Sequence, residues 1–344
     1  MTAFYCGIDQ GKLKSDLCVI DGGKRVLARA RIDSNSKDLL AFLERFGKDV
    51  HCVVESSATW YWLVDCLQEA GYRVTMAHPL KLAMITRAKV KTDRRDAQLL
   101  AEMLLGGFIP PSYIYPKEQR SLRDLARHRS DLVRKRAMEF ISLKLLAARH
   151  GYDSWRRGEL KYISEEMIED VFDDNELLRL HGVGNVEIIN LLTRQIEELE
   201  AAILKRIGNM KLFMGLNAIP GIGKALAIVI YLEICDIQRF KSVRAFSSYC
   251  RVIPGVAQSG ASSRRGRGSK QGNPHLKSAL SQAAVAAVRC YPHIKSDFEG
   301  HLEKRQAKGG KMVCYNIIAH KLALAVYHVM HGEAYDSSKL FQAA

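Results

Sequence analysis

Apolar and polar side chains alternate along residues 3–33, which is the spacing of half-buried β-strands. Further along, short apolar runs alternate with stretches in which apolar residues recur every three or four positions, as in helices packed on one face. Strands are therefore predicted over 4–9, 15–20, 25–32, 52–55 and 73–77, and helices over 37–46 and 59–70. This order predicts a mixed sheet flanked by helices, which is an α/β domain.

The rest of the chain carries a helical pattern almost throughout. Long helices are predicted over 117–150 and 176–207, the second interrupted by HGVGN at 181–185. They could pair within the chain or with another copy, so a coiled-coil arm and a dimer are expected, with a plain helical spacer as the alternative. The predicted regions are an α/β domain over 1–115, long helices over 116–209 and a mainly helical domain over 210–344.

Four acidic residues stand where a ligand site is expected in such a fold. Asp9 ends the first predicted strand and Glu55 the fourth, while Asp93 and Asp96 lie in KTDRRDAQLL, which opens a helix with Thr92 as its N-cap. Strand ends of an open α/β sheet gather ligand sites, so the four carboxylates could converge. Grouped carboxylates repel one another unless cations neutralise them, and oxygen-only ligands suit Mg²⁺ or Mn²⁺. Alternatively, the acids only favour the helix dipole and Asp9 is a turn residue.

The net charge of the chain is +15, and most of it lies in one stretch. Residues 237–296 include eleven Lys or Arg residues and no Asp or Glu. Such a distribution indicates a polyanionic partner, and Gly, Ser and Arg mixed within 247–280 are typical of a flexible loop along a nucleic-acid backbone, with a disordered linker as the alternative. The candidates for backbone contact are Lys224, Arg251, Arg264, Arg265, Arg267, Lys270 and Lys277.

Composition excludes several other classes of protein. No apolar run approaches the ~18 residues of a membrane span, and the first residues lack the layout of a signal peptide, so a cytoplasmic protein without a membrane partner is expected. The eight cysteines are scattered and form no C-x-x-C pair, so neither a zinc site nor a disulfide framework is predicted.

Two short motifs of the second half could act on a phosphodiester. PGIGK at 220–224 stands between apolar helices and resembles a helix-hairpin-helix, whose glycine turn offers N–H groups to phosphate; a simple helix turn is equally open. QSG at 258–260 places the hydroxyl of Ser259 among basic residues, and a serine can attack phosphorus when cations stabilise the transition state. Spacing alone does not separate Ser259 from Ser262, Ser263 or Ser269.

Six segments, in order along nearly the whole chain, resemble one family. They are GID at 7–9, VVES at 53–56, KTDRRDAQLLA at 91–101, IPGIGKALA at 219–227, QSG at 258–260 and SKQGNPHLKSAL at 269–280. The chain resembles the DEDD transposases of the insertion-sequence one-ten family, which include the Piv-type DNA invertases. It departs from the family pattern before QSG, where it reads CRVIP at 250–254 instead of containing a Gly-Leu-x-Pro run.

The resemblance implies a RuvC-like fold of the ribonuclease-H type, a coiled-coil arm, and a helical transposase domain with a helix-hairpin-helix-like segment. It implies that Asp9, Glu55, Asp93 and Asp96 hold Mg²⁺ or Mn²⁺ and that Ser259 forms a phosphoserine with DNA. The serine is expected to act with the metal site, across subunits of a dimer or tetramer. A structured guide RNA, the bridge RNA, is implied to pair with donor and target DNA. The shared motifs leave open whether RNA or protein selects the site.

Three other classes compete with a recombinase. A RuvC-like junction nuclease would use the same carboxylates without a covalent step. A non-catalytic nucleic-acid-binding protein would need only the basic stretch. GIDQGKLKSDLCVIDG at 7–22 could also open an actin-like sugar kinase, although no glycine-rich adenosine motif follows it.

Overall fold

The computed structural model describes residues 4–85, 93–152, 155, 159–253, 255–259, 262–266, 271–304 and 310–341. Side chains are described for these residues except 93, 94, 161, 255–259 and 262–266. Thr92, Arg267 and Lys270, which carry predictions from the sequence, lie outside the described residues. The chain divides into two compact units, Met1–Glu118 and Gln119–Ala344.

The first unit is built on a five-stranded mixed sheet. Its strands are β1 (Phe4–Gln10), β2 (Lys14–Asp21), β3 (Val26–Asp33), β4 (Val50–Glu55) and β5 (Arg73–Ala77). Their order across the sheet is β3-β2-β1-β4-β5. β1 pairs antiparallel with β2 and parallel with β4, β2 pairs antiparallel with β3, and β4 pairs parallel with β5. The predicted meander followed by alternating strands and helices is confirmed, with strand ends within two residues.

Helices cover this sheet and connect its strands. They are α1 (Ser36–Leu43), α2 (Trp60–Glu69), α3 (Pro79–Ile85) and α4 (Asp93–Leu105). The Asn35 side chain caps α1 by accepting a hydrogen bond from the Asp38 N–H, which explains where that helix begins. On one face of the sheet, Tyr5 and Val53 pack against Leu100 and Met103 of α4.

The second unit is mainly helical. Its helices are α5 (Lys117–Arg149), α6 (Glu165–Val171), α7 (Glu176–Ile207), α8 (Lys211–Asn217), α9 (Lys224–Ile234), α10 (Val243–Tyr249), α11 (Pro274–Cys290), α12 (Pro292–Glu303) and α13 (Gly310–Met330). Between α10 and α11 lie two antiparallel strands, β6 (Gly255–Ser259) and β7 (Ser262–Gly266). The prediction of a loop without regular structure is wrong for these residues.

The two long helices, α5 and α7, pair with each other inside the chain. Leu132 of α5 packs against Leu192 and Ile196 of α7, and near the other end of α5 Leu143 packs in a cluster with Val186. Residue numbers rise along one helix as they fall along the other, so the pair is antiparallel. Of the two arrangements that the sequence left open for the long helices, the structure shows pairing within the chain.

The predicted interruption of α7 at HGVGN is wrong, because the helix is continuous from Glu176 to Ile207. Gly182 serves close packing instead: a Cβ atom at this position would lie 2.5 Å from Cγ2 of Ile168 in α6. Gly182, one of the two glycines that suggested a break, thus allows α6 to pack closely against α7. Tertiary packing outweighs the cost of glycine in a helix interior, about 1 kcal/mol relative to alanine.

Among the described helices, α13 is the one whose length and composition would suit a membrane span. Its residues Cys314, Ile318, Leu322 and Val326 are fully buried within the main core of the second unit. We interpret α13 as a core helix, because its apolar side chains are covered by the protein itself.

Candidate active site

Two of the predicted carboxylates lie at or next to the ends of neighbouring strands. Ile8 of β1 is in register with Val54 of β4, so Asp9 and Glu55 are the next residues along two parallel strands. Side chains alternate between the faces of a strand, and Val53 packs against α4. Glu55 therefore lies on the α4 face. Both Asp9 and Glu55 are half-buried.

Gly7 allows α4 to lie directly against β1. A Cβ atom at Gly7 would be 1.9 Å from the carbonyl oxygen of Ala97. Any other residue at this position would therefore push α4 away from the sheet. Gly7 thus faces α4, and Asp9, two residues further along β1, projects to the same side. The first turn of α4, with Asp93 and Asp96, immediately precedes Ala97. The sequence signal for Gly7 was a glycine inside a buried strand, which often marks close backbone approach.

An open cleft brings Glu55 and Asp96 together. Its volume is about 70 Å³, and it is otherwise lined by apolar or small residues of α3 and α4: Pro79, Leu82, Ala83, Leu99, Leu100 and Met103. Two carboxylates thus share one wall of an otherwise apolar depression. Two carboxylates in one cleft repel each other, and a bound cation would relieve that repulsion.

Whether these residues fit a divalent metal is judged from their donor atoms. Asp9, Glu55 and Asp96 offer carboxylate oxygens on one face of the sheet, which is the chemistry that Mg²⁺ or Mn²⁺ prefers. In the described residues, which do not include the Asp93 side chain, no group of three or more His, Cys, Asp or Glu side chains is close enough to hold a metal ion. The four-carboxylate metal site therefore remains a prediction.

The predicted nucleophile lies at the tip of a β-ribbon. Ser259 is the last residue of β6 and is paired in register with Ser262, the first residue of β7. At the other end, Gly255 pairs with Gly266. Arg264 and Arg265 belong to β7, opposite Ala257 and Val256 respectively. We call β6, β7 and the tip between them the serine ribbon.

Hydrogen bonds tie the two chain segments that flank the serine ribbon. Arg251 donates from Nε to the Gln271 carbonyl oxygen at 3.1 Å and from Nη2 to that of Gly272 at 2.7 Å. The Asn273 N–H donates to the Tyr249 carbonyl oxygen at 2.7 Å. Gly272 has φ of +99°, and a Cβ there would lie 2.4 Å from that same Tyr249 oxygen, so only glycine fits. We call these contacts the ribbon base.

Arg251 itself adopts a left-handed backbone conformation, with φ of +57°. This conformation costs a non-glycine residue roughly 1 kcal/mol. When CRVIP is matched to the family's Gly-Leu-x-Pro run at the proline, Arg251 stands in the place of the glycine. The departure from the family pattern is thus compatible with the backbone. It also adds the two hydrogen bonds to the ribbon base.

A buried carboxylate fixes the ribbon base to α5. Glu233 of α9 receives hydrogen bonds from Arg127 Nε at 2.5 Å, from Arg123 Nε at 3.1 Å and from Asn273 Nδ2 at 2.7 Å. Asn273 also caps α11 by accepting from the N–H groups of His275 and Leu276. Burial by itself would raise the pKa of Glu233. The hydrogen bond from Arg127 and the charges of Arg123 and Arg127 outweigh burial and hold that pKa below its ordinary value of 4.5.

The candidate nucleic-acid contacts differ in their surroundings. Lys224, the first residue of α9, and Lys277 of α11 are exposed. Arg251 is half-buried and bonded to backbone, so the structure gives it a structural contact that the sequence did not predict. Arg239, also from the acid-free stretch, donates to the Glu233 carbonyl oxygen and lies 4.7 Å from the centre of the Tyr249 ring. Arg239 and Arg251 of this stretch therefore make contacts within the chain, and nucleic-acid contact by the exposed basic residues remains a prediction.

The PGIGK turn joins α8 and α9, as the predicted hairpin requires. Gly221 has φ of +80°, and a Cβ there would lie 2.2 Å from the Ala283 carbonyl oxygen of α11. The glycine therefore lets the turn pack against α11. Phosphate binding by the turn remains a prediction.

Comparison with known proteins gives matches in both halves of the chain. A family model for the DEDD transposases of the IS110 type, described as a transposase, matches residues 6–146. A second model, described as the transposase IS116/IS110/IS902 family, matches residues 215–299. The first range contains all four predicted carboxylates, and the second contains Ser259 and the ribbon base.

Several full-length relatives agree with these matches. A putative transposase of Sinorhizobium fredii is 23% identical over 81% of this chain and 70% of its own length. A probable family 20 transposase of Pseudomonas aeruginosa is 24% identical over 88% and 90% of the two chains. The transposase for insertion sequence element IS1111A of Coxiella burnetii is 24% identical over 84% and 78%.

The two family models and these relatives place the chain among the transposases. The chain belongs to the IS110 family of DEDD transposases, as the resemblance predicted. Membership implies DNA as the substrate and, in general terms, the cutting and rejoining of DNA strands.

Proposed function

We propose that this transposase cuts and rejoins DNA through a covalent bond between DNA and Ser259, at a site that uses Mg²⁺ or Mn²⁺ held by Asp9, Glu55, Asp93 and Asp96. The observation that carries the proposal is the sharing of one face by Asp9, Glu55 and the first turn of α4, with Glu55 and Asp96 in one cleft. An acidic residue with no function in the sheet would have no reason to lie beside other acidic residues. Grouped carboxylates of this kind attract a divalent cation.

The chemical step is a transesterification. The Ser259 oxygen forms a bond to phosphorus while the bond from phosphorus to one deoxyribose oxygen breaks. The serine proton passes to a base or to water, and the leaving oxygen takes up a proton to become a hydroxyl. Rejoining is the reverse, with a DNA hydroxyl displacing the serine. When bound, the divalent cation would stabilise the charge that develops on the phosphate oxygens.

The position of Ser259 favours it over Ser263, and the QSG motif favours it over Ser262, which lies opposite Ser259 at the same tip. Ser259 lies in QSG at the tip of the serine ribbon, whereas Ser263 is inside β7 opposite Gln258. A ribbon tip can enter a groove or a second active site because connections between strands lie at the surface of a protein. The hydrogen bonds of the ribbon base hold the start and the end of the ribbon together.

We further propose that the polyanions bound are donor and target DNA together with a structured guide RNA. The support is the acid-free stretch at 237–296, with Lys224 and Lys277 exposed on neighbouring elements. In such a division of labour the protein holds backbones through Lys and Arg, and base pairing supplies the sequence. This activity belongs in the cytoplasm, where the DNA of a bacterium is found.

A homodimer or homotetramer is the form in which we expect the protein to act. Met138, Ile141 and Leu145 are exposed along α5 at helical spacing, and Ile188 and Leu191 are exposed on α7. Exposed apolar residues three and four apart form a stripe that a second helix can cover. A second copy of the chain is the partner that we propose for these exposed side chains.

A denaturing gel tests the proposed function. Purified protein, with co-purified RNA and Mg²⁺, is incubated with DNA that spans the element junction, and a slow band of protein bound to DNA is expected. Ser259→Ala should abolish the band, whereas the matched control Ser263→Ala should retain it. Cleavage without any band, persisting in Ser259→Ala, would contradict the proposal and indicate a nuclease that uses water.

A further inference from the structure

Two arginines of β3 lie on the sheet face that carries the proposed carboxylate site. Arg29 is paired in register with Cys18 of β2, and Arg31 with Asp16. Cys18 packs against Ala97 of α4. Paired residues of neighbouring strands point to the same face, and so do alternate residues of one strand. Both arginines are therefore on the α4 face of the sheet.

The strand register also gives the separation between Arg31 and the proposed site. Asp16 is paired in turn with Asp9 of β1, so Asp9, Asp16 and Arg31 form one row across three strands. Neighbouring strands are about 4.8 Å apart, which places the backbone of Arg31 roughly 10 Å from that of Asp9. Successive phosphates of a DNA strand are closer together than this. A strand with one phosphate at Asp9 can therefore place a further phosphate at Arg31.

A third arginine belongs to the first turn of α4. Arg95, Gln98 and Glu102 are spaced three and four positions apart, so they follow one stripe of the helix. Gln98 accepts a hydrogen bond from Nη2 of Arg29, which shows that this stripe faces β3. Arg95 is exposed and lies one turn nearer the start of the helix. It is therefore on a different side of α4 from Asp96, which lines the cleft.

We call Arg29, Arg31 and Arg95 the arginine patch. All three residues are exposed, and among the described residues no carboxylate forms an ion pair with Arg29 or Arg95. The charge of Lys14 on the neighbouring strand is by contrast paired with the exposed Asp33 at 2.7 Å. Grouped positive charges without carboxylate partners attract a polyanion.

Asp16 holds Arg31 in place without enclosing it. Only 4% of Asp16 is exposed, whereas 59% of the Arg31 side chain is exposed. Nε of Arg31 lies 3.7 Å from Oδ2 of Asp16, which is beyond hydrogen-bond range. The guanidinium group therefore keeps its donors for another acceptor, and its planar fork suits bidentate contact with a phosphate.

We propose that the arginine patch binds backbone phosphates of the DNA strand whose phosphodiester lies at the carboxylate site. The inference rests on the proposed function, which places the reacting phosphate beside Asp9. It assigns DNA contact to the first unit, whereas the candidates from the sequence all lie in the second. Contacts of this kind fix the position of a strand without reading its sequence. Guide RNA offers the same phosphates, but the strand that reacts is DNA, and the patch flanks the point of reaction.

Fluorescence anisotropy of the full-length protein with its co-purified RNA and junction DNA, in EDTA and at several salt concentrations, tests the proposal without catalysis. Arg31→Gln and Arg95→Gln should each flatten the slope of log affinity against log salt by about 1, and the triple variant with Arg29→Gln by about 2 to 3. Arg25→Gln is the matched control. It removes an exposed arginine at the β2–β3 turn, at the opposite end of β3 from Arg31, and should leave the slope unchanged.

Neutral methylphosphonates in the DNA locate the contact. Placed next to the cut position, they should weaken binding by the unaltered protein and cause little further loss in the triple variant. Equal losses in both proteins would overturn the inference, because the patch would then lie elsewhere on the DNA. Unchanged slopes in the arginine variants, or an equal change in Arg25→Gln, would also overturn it.

Two further readouts keep the test decisive. A fall in co-purified RNA with unchanged DNA binding would assign the patch to RNA and overturn the inference. If Arg31→Gln does not fold because Asp16 has lost its partner, Arg95→Gln still decides, since among the described residues it breaks no ion pair. The proposed function fails separately, when no covalent adduct forms, and the binding measured in EDTA does not depend on that result.

Discussion

The two units of this protein treat buried charge in opposite ways. In the second unit, the carboxylate of Glu233 is enclosed by Arg123, Arg127 and Asn273 of the same chain, at hydrogen-bonding distances. In the first unit, Asp9, Asp16 and Glu55 share one face of a sheet with one another. Opposite charges enclosed together fix structure, whereas grouped carboxylates favour the binding of a cation.

This contrast assigns a role to each unit of the transposase. We propose that the carboxylates of the first unit hold a divalent cation. The second holds a ribbon that carries the proposed nucleophile, and its buried ion pairs fix the base of that ribbon.

Glu233→Gln should have the largest effect on stability. The substitution leaves the largely buried Arg123 and the partly exposed Arg127 beside a neutral group. Breaking a fully buried ion pair by removing one partner costs about 3–5 kcal/mol, and the exposure of Arg127 places the loss at the lower end of that range. Urea unfolding at pH 7 measures this loss. Glu233→Asp, which keeps the charge, is the control and should lose less.

The unaltered protein and the Glu233→Gln variant should differ in how their stability changes with pH. Because the pKa of Glu233 is depressed in the folded state, its contribution to stability is present above its ordinary pKa of 4.5 and is lost as pH falls through the folded value. The stability difference between the unaltered protein and Glu233→Gln should therefore narrow below about pH 4.5. A constant difference down to acidic pH would show that the charge of Glu233 is not what stabilises the ribbon base.

Arg251→Lys should have an intermediate effect. Lysine keeps the positive charge but lacks the planar fork that reaches the carbonyl oxygens of Gln271 and Gly272. Loss of hydrogen bonds to a charged group costs about 2 kcal/mol, so the melting temperature and the yield of the covalent adduct should both fall. Binding to DNA and RNA should be unchanged. Weakened binding with an unchanged adduct yield per bound complex would return Arg251 to the nucleic-acid contacts predicted from the sequence.

Arg251→Gly is a useful companion to this variant. It restores the family residue and relieves the left-handed backbone strain, yet it also removes both hydrogen bonds. A fall in adduct yield comparable to that of Arg251→Lys would assign the effect to the hydrogen bonds.

The smallest effect on stability is expected when Gln replaces Arg264, Arg265 and Arg267 together. The effect of this replacement on binding should be the same for every nucleic-acid sequence. Contacts to backbone phosphates are independent of sequence, so affinity should fall equally for all DNA sequences tested. The slope of log affinity against log salt should flatten by about 3 at most. Fluorescence anisotropy at several salt concentrations measures the slope, and an unchanged slope would show that the ribbon arginines do not contact phosphate.

Much of this architecture follows from local patterns in the sequence. Period-two alternation predicted the strands, and Asn273-Pro274 marked the start of α11 correctly, because capping and proline restrictions act over a few residues. Other features depend on strand register and tertiary contact, which the sequence does not display. They are the packing of α4 on Gly7, the pairing of Asp16 with Asp9, and the hydrogen bonds of Arg251 to backbone. HGVGN was misread for the same reason: Gly182 packs against Ile168, which lies fourteen positions earlier in the chain.

The central claim is that the carboxylates of the first unit and the serine of the second act on one phosphodiester. Adduct formation by Asp96→Asn tests it most directly, with Asp33→Asn as the control and DNA binding verified for both. The account predicts that Asp96→Asn binds DNA normally and yields at least about 10³-fold less adduct, since cation stabilisation of a phosphoryl transition state is worth several kcal/mol. An undiminished adduct at Ser259 would contradict it, and would mean that the serine reacts without the carboxylate site.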